Sequence, residues 1–226
     1  MVTVKKKTFI KSKDKILKTR KPNFFKKEAI NLGFEIAKKN IIFFIGIFAI
    51  VFVISFISSA IQIGAFLDKQ SMLYILLNIL TFIINAIISI GLIKISLEFI
   101  DNKKPKFLDL FYVKPLVNFI LASIIRGVIA SIGFILFIIP GIIFSIRLQY
   151  VTYLVIDKNL PPVESIKKSW EMTKGNTWNL FFFCILLLLI NILGAILFLV
   201  GLFVTVPLTM LATAFVYRKL LHSKTA

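Results

Sequence analysis

Residues 178–217 read WNLFFFCILLLLINILGAILFLVGLFVTVPLTMLATAFVY, forty residues without a charge. An α-helix rises ~1.5 Å per residue, so about 20 apolar residues cross the ~30 Å of hydrocarbon in a bilayer. The block is therefore two crossings long, and Gly194 and Gly201 permit a tight turn in its middle. Two helices here, and not one, set the parity of the whole chain.

Four further apolar runs precede it, at 41–66, 72–93, 116–139 and 141–156, and the block itself divides into 178–196 and 199–217. The 226 residues are 58% hydrophobic, with a mean hydropathy of +0.93. A soluble domain is nearer half apolar and wears its charge as a shell. Here the charge is bunched between the runs, so the expected fold is all-α, a polytopic membrane protein of six transmembrane helices in three hairpins. The Pro140-Gly141 pair reads as the outer turn between the third and fourth spans. Three segments follow: a basic stretch at 1–23, one six-helix membrane domain at 24–220 and a short tail at 221–226.

Lys and Arg mark the cytoplasmic side of membrane proteins. Thirteen of the 28 basic residues precede Ile41, and others cluster at 103–114, 158–174 and 218–224, whereas Lys69 stands alone on the opposite side. With six spans all these clusters fall together, which places both termini in the cytoplasm of a cell-membrane protein. The net charge of +18 is then a topology signal and not a nucleic-acid footprint; its expected partner is the lipid bilayer, with Lys5 to Lys27 also touching anionic headgroups. The first apolar run begins too late for a signal peptide, so no cleaved leader is expected. The single cysteine, Cys184, excludes a disulfide framework.

An internal repeat runs through the chain. Glu28-Ala29-Ile30, Phe34-Glu35-Ile36, Lys38 and Asn40 match Glu164-Ser165-Ile166, Trp170-Glu171-Met172, Lys174 and Asn176 at an offset of 136. A second echo at offset 61 relates Gly133, Ile135, Leu136 and Phe137 to Gly194, Ile196, Leu197 and Phe198. The unit reads as a cytoplasmic interfacial amphipathic helix followed by a hairpin, preceding spans 1 and 5, with Pro105 to Phe111 as a short counterpart before span 3. In the 161–175 copy, Pro162 suits a helix start, Glu164 and Lys174 complement the helix dipole, and Gly175 suits its end. Val163, Ile166, Trp170 and Thr173 form one stripe, as do Phe25, Ala29, Leu32 and Ile36 in the first copy.

Pro140, Gly141, Arg147, Asp157, Glu164, Ser169, Trp170, Thr173, Lys174 and Gly175 also carry a resemblance. With Leu160, Pro162, Ser165, Lys168 and Asn176 they resemble a poorly characterised prokaryotic multi-span family that includes the membrane domain of some glycerophosphoryl diester phosphodiesterases. The similarity spans about residues 90–220. It implies a six-helix bundle and no activity, since those phosphodiesterases carry catalysis in a separate soluble barrel.

No enzyme is expected. His222 is the only histidine, and the chain holds no metal-ligand spacing, phosphate loop or paired carboxylates within the spans; neither metal nor cofactor is foreseen. Lys94 is expected to pair with Glu98 at i,i+4, and Asp109 and Asp157 to cap or staple the interfacial segments. The residues out of place are Arg126 and Arg147, deep in apolar runs, where an arginine costs roughly 2.5–3.5 kcal/mol on insertion scales. Their neutral partners would be Asn85, Asn191, Gln149, Thr152 or backbone carbonyls. Two readings stand: each arginine locks neighbouring helices, or the pair forms a pocket for an anionic lipid or solute. Ser123, Gly127 and Ser131 form a small-residue ladder beside Arg126 that suits close helix packing. The leading functional expectation is a non-enzymatic protein that binds an anionic ligand or scaffolds a partner; a transporter or channel subunit is the alternative, and a membrane-embedded enzyme ranks last.

Overall fold

The computed structural model describes residues 26–67, 71–196 and 201–224; the basic segment 1–23, Phe25, Asp68, Lys69, Leu197 and Phe198 lie outside them. The described residues form nine α-helices and one 3-10 helix: α1 Lys26–Lys39, α2 Ile41–Leu67, α3 Ser71–Ile100, the 3-10 helix Phe107–Phe111, α4 Leu116–Leu136, α5 Ile138–Arg147, α6 Val151–Lys158, α7 Pro162–Thr173, α8 Thr177–Ile196 and α9 Leu202–Lys224. Six segments are long and apolar enough to cross a membrane, counting α5 and α6 together as Ile138–Lys158. Two ends lie further out than hydropathy placed them, because α3 continues past residue 93 to Ile100 and α9 past 217 to Lys224. In both places the added turns carry charges that pair within the protein.

The main correction concerns the fourth run. Pro140-Gly141 is not the turn. The chain reverses at Phe137, which is extended (φ −165°, ψ 156°), and Pro140 is the third residue of α5. At that position its missing N–H falls among the donors that a helix start leaves unpaired in any case. Gly141 instead sets the closeness of the two helices: a Cβ there would come within 2.9 Å of the Phe134 Cα. Gly201 and Gly194 do the same between α9 and α8, a Cβ on Gly201 meeting the Gly194 Cα at 2.8 Å.

The fourth run also breaks. The Val151 N–H bonds the Leu148 carbonyl at 3.2 Å, so the Arg147 carbonyl loses its helical donor and α5 ends there.

The core lies around α9, whose Leu211, Ala212, Ala214, Phe215 and Tyr217 are wholly or almost wholly buried. Helix α1 packs along α9. Gly33 permits it, since a Cβ there would stand 2.6 Å from the Leu208 carbonyl oxygen. The buried face of α1 includes Ala29, Gly33, Ile36 and Ala37, and that of α7 is Ser165, Ser169, Met172 and Thr173. These are the same four positions under the offset of 136. The face of α7 that is fully buried is therefore largely hydroxyl-bearing; of the Val163–Ile166–Trp170–Thr173 stripe, Thr173 belongs to it, Ile166 and Trp170 pack beside it half-buried, and Val163 is exposed.

Three charges join three helices at one end of the bundle. Arg218 of α9 donates from Nε and Nη2 to the two carboxylate oxygens of Asp101, just past α3, at 2.9 and 2.6 Å. Its Nη1 donates to Asp157 Oδ2 of α6 at 2.6 Å, and the Tyr217 hydroxyl donates to the same oxygen at 2.9 Å. Arg218 is 7% exposed. Asp157 is thus a partner of the last helix and not a cap. Nearby, Lys94 donates to Asp109 Oδ1 at 2.6 Å, closer than its 3.9 Å approach to Glu98. That ammonium, with the Lys106 N–H, holds the Asp109 carboxyl below the usual carboxylate range against the opposing effect of burial.

Removing one member of a buried ion network leaves a charge without its partner. Arg218→Gln is expected to lower unfolding stability by about 3–5 kcal/mol, measured by SDS titration in mixed micelles. A loss under about 0.5 kcal/mol, the size of an ordinary surface change, would show that the network does not hold the three helices.

Candidate functional site

The break after Arg147 builds the site. Ser169 Oγ donates to the orphaned Arg147 carbonyl at 2.7 Å. Thr173 Oγ1 lies 3.3 Å from the same oxygen, but it also lies 2.8 Å from the Ser169 carbonyl and 3.2 Å from that of Trp170. One hydroxyl proton serves one acceptor well, so the shortest contact takes it and Ser169 carries most of the bond to Arg147. Both hydroxyl residues are fully buried. Gly175, at φ +87°, turns the chain from α7 into α8 in the left-handed region that glycine enters freely.

The same seam holds the Arg147 side chain. Its guanidinium carbon sits 4.3 Å from the Trp170 ring centroid, a cation–π distance, and Phe144 packs against that ring at 5.7 Å. Nε donates to Thr177 Oγ1 at 3.2 Å. That is the only hydrogen bond of this side chain among the described residues. A guanidinium carries five N–H donors, so four remain on its two terminal nitrogens.

Arg147 forms one end of a cleft of ≈ 480 Å³ between α5 and α8. Ile142, Ile143, Ile146 and Phe181 line its apolar length, and Thr177 and Gly175 flank Arg147.

The other anticipated ligands lie elsewhere. Arg126 is half-buried on α4 and shares no partner with Arg147. Asn85 is exposed and donates to the Thr81 carbonyl one turn back at 3.0 Å. Asn191 donates to Thr209 Oγ1 at 3.3 Å, tying α8 to α9. The ladder beside Arg126 does not face a neighbouring helix: nothing lies within 4 Å of a Cβ placed on Gly127, and Ser131 is exposed. Of the four residues grouped from sequence as intramembrane ligands, only Arg147 reaches the cleft. Thr177 is the residue missed; Trp170 was singled out only as part of the interfacial stripe and the 157–176 motif, and not as a partner of Arg147. No group of three or more metal-ligating side chains occurs among the described residues.

Comparison with known proteins gives distant relatives. No family model matches the chain. The chain is 26% identical over 130 residues to Uncharacterized protein Rv2560 of Mycobacterium tuberculosis (strain ATCC 25618 / H37Rv) and to Uncharacterized protein Mb2590 of Mycobacterium bovis (strain ATCC BAA-935 / AF2122/97). The aligned part is 58% of this chain and 40% of each relative, so the chain spans under half their length. No solved structure matches.

Ser169→Ala removes the main donor to a buried carbonyl, and the expected loss is about 1–3 kcal/mol. Thr173→Val should cost less than Ser169→Ala, because its hydroxyl bonds chiefly within its own helix. SDS titration of the two variants checks the order, and the reverse order would assign the Arg147 carbonyl to Thr173.

Proposed function

We propose that this chain is a non-enzymatic multi-span protein of the cell membrane that holds an anionic ligand at Arg147. One observation carries the reading. Arg147 is stacked on Trp170 and fixed through Nε, while its terminal nitrogens have no hydrogen bond among the described residues and stand at the end of an apolar cleft. Donors in a membrane need acceptors, and a charged group within a span marks a functional position more often than a structural one. An anion supplies the acceptors and the opposite charge together.

The proposal includes the finer topology. Helices α2–α3, α4 with α5–α6, and α8–α9 form three hairpins. Helices α1 and α7 lie at the inner surface, and the distribution of Lys and Arg places both termini in the cytoplasm. It also includes kinship with the family containing the phosphodiesterase membrane domain, supported by the motif from Asp157 to Asn176, whose Ser169 and Trp170 meet Arg147.

Reporter fusions test the topology: those after Leu67 and after Lys104 are expected on opposite sides of the membrane, and the same side for both ends the six-span arrangement. Native mass spectrometry tests the site. The parent, purified from membranes, is expected to carry a bound anionic species that falls at least tenfold in Arg147→Gln and stays in Arg126→Gln. Equal occupancy in the parent and Arg147→Gln would remove the reading.

A further inference from the structure

We infer that the anion at Arg147 is the phosphate of a membrane phospholipid, one of whose acyl chains lies in the cleft between α5 and α8. The inference rests on the anion-site reading and adds the identity of the ligand.

The cleft is polar at one end only. Arg147 and Thr177 stand at that end, and Ile142, Ile143, Ile146 and Phe181 make the rest. A free anion would satisfy the arginine and leave this apolar length without a matching group. A phospholipid matches both. From Arg147 to Ile139, the farthest cleft residue on α5, the helix rises about 12 Å, room for a stretch of acyl chain. Trp170 and Trp178 flank the charged end.

The start of α8 adds to the charge. The first bond to Asn176 within this helix comes from the Leu180 N–H, at 2.9 Å, so the amides of Thr177, Trp178 and Asn179 precede any intrahelical acceptor. They stand at the positive end of a 20-residue helix. A phosphate bonded to the terminal nitrogens of Arg147, bidentate in the usual guanidinium manner, would sit beside this end.

The internal repeat supplies an independent comparison. Under the offset of 61, Arg147 corresponds to Leu208 and Ile142 to Phe203; under the offset of 136, Cys184 corresponds to Phe48. In the corresponding place between α9 and α2, Phe203 and Phe48 meet edge to face at 6.3 Å. Where two aromatic rings meet, the position of the arginine is Leu208. Where Ile142 stands in place of Phe203, the cleft is present and the arginine with it. Space for a chain and charge for a phosphate thus occur in the same copy of the unit.

The test uses the full chain in nanodiscs of phosphatidylglycerol, released and weighed by native mass spectrometry. The parent is expected to keep one phosphatidylglycerol, and Arg147→Gln and Ile139→Trp are each expected to reduce its occupancy at least tenfold. Ile139 is 66% exposed, so its replacement narrows the cleft without entering the core, and this arm stands even where Arg147→Gln fails to fold. Retention of the lipid by Ile139→Trp at the parent level overturns the placement of the chain. If inorganic phosphate then displaces the adduct from the parent, and Arg147→Gln lacks it, the anion site stands without the lipid. An adduct unchanged in Arg147→Gln removes both.

Discussion

A single guanidinium, with the Tyr217 hydroxyl beside it, ties together the ends of three helices whose surfaces are otherwise largely apolar. In a membrane the hydrophobic effect does not drive helix against helix, because lipid chains are as apolar as the side chains. The packing needs directional contacts, and Arg218 provides them, with Asp101 beyond α3 and Asp157 of α6 bound to its three nitrogens. Asp157 and Arg218 are related by the same offset of 61 that relates Gly133 to Gly194. Corresponding positions of the repeated unit therefore carry opposite charges and meet. A buried ion pair gives little net stability against an apolar equivalent, but it penalises alternative pairings strongly. Here it selects which helix ends converge.

Once those ends converge, α7 is committed to fold back along α6 and α4, and its Ser169 lies where the fourth span breaks. The hydroxyl and the break support each other. Without the break, the Arg147 carbonyl would be bonded within the helix and Ser169 would be a buried donor in need of another acceptor. Without Ser169, the break would leave a buried carbonyl open. The site is a consequence of this exchange. Trp170 and Thr177 reach Arg147 because the α7–α8 connection is pinned to its backbone.

Much of the architecture was legible in the sequence. Six apolar runs gave six helices of spanning length, because a 30 Å hydrocarbon layer imposes its dimension on composition. The repeat was legible too, although the positions that both α1 and α7 bury are not the full stripes read from it. Three things were not. Arg218 looked like one more cytoplasmic cation, since hydropathy places a charge at a span end without saying that it turns inward to two carboxylates. The break at 148–150 contains neither Gly nor Pro; it is set by hydroxyls more than 20 residues further along the chain. Pro140 drew the turn to itself because proline is read as a breaker, although in the first turn of a helix it breaks nothing. The grouping of Arg126 with Arg147 failed for a related reason. Depth along a run fixes height in the membrane but not azimuth, and among the described residues the two side chains have no hydrogen-bond or ring partner in common.

A repeated unit also shows how a cleft arises in a fold that has little polar chemistry to work with. One copy closes the gap between α2 and α9 with Phe48 and Phe203. Another carries Ile142, which lines the cleft, where the first has Phe203. An open apolar gap facing a bilayer attracts no particular molecule, since any acyl chain fills it equally. Specificity requires a group at its end that discriminates among headgroups, and that group must be held against its own freedom. The stack of Arg147 on Trp170 and its bond to Thr177 supply that restraint. The charge would be poorly placed in a symmetric version of the fold, because the corresponding Leu208 lies against Gly33 with no room for a headgroup. Departure from the repeat, more than the repeat itself, is what would make this seam selective for the proposed ligand.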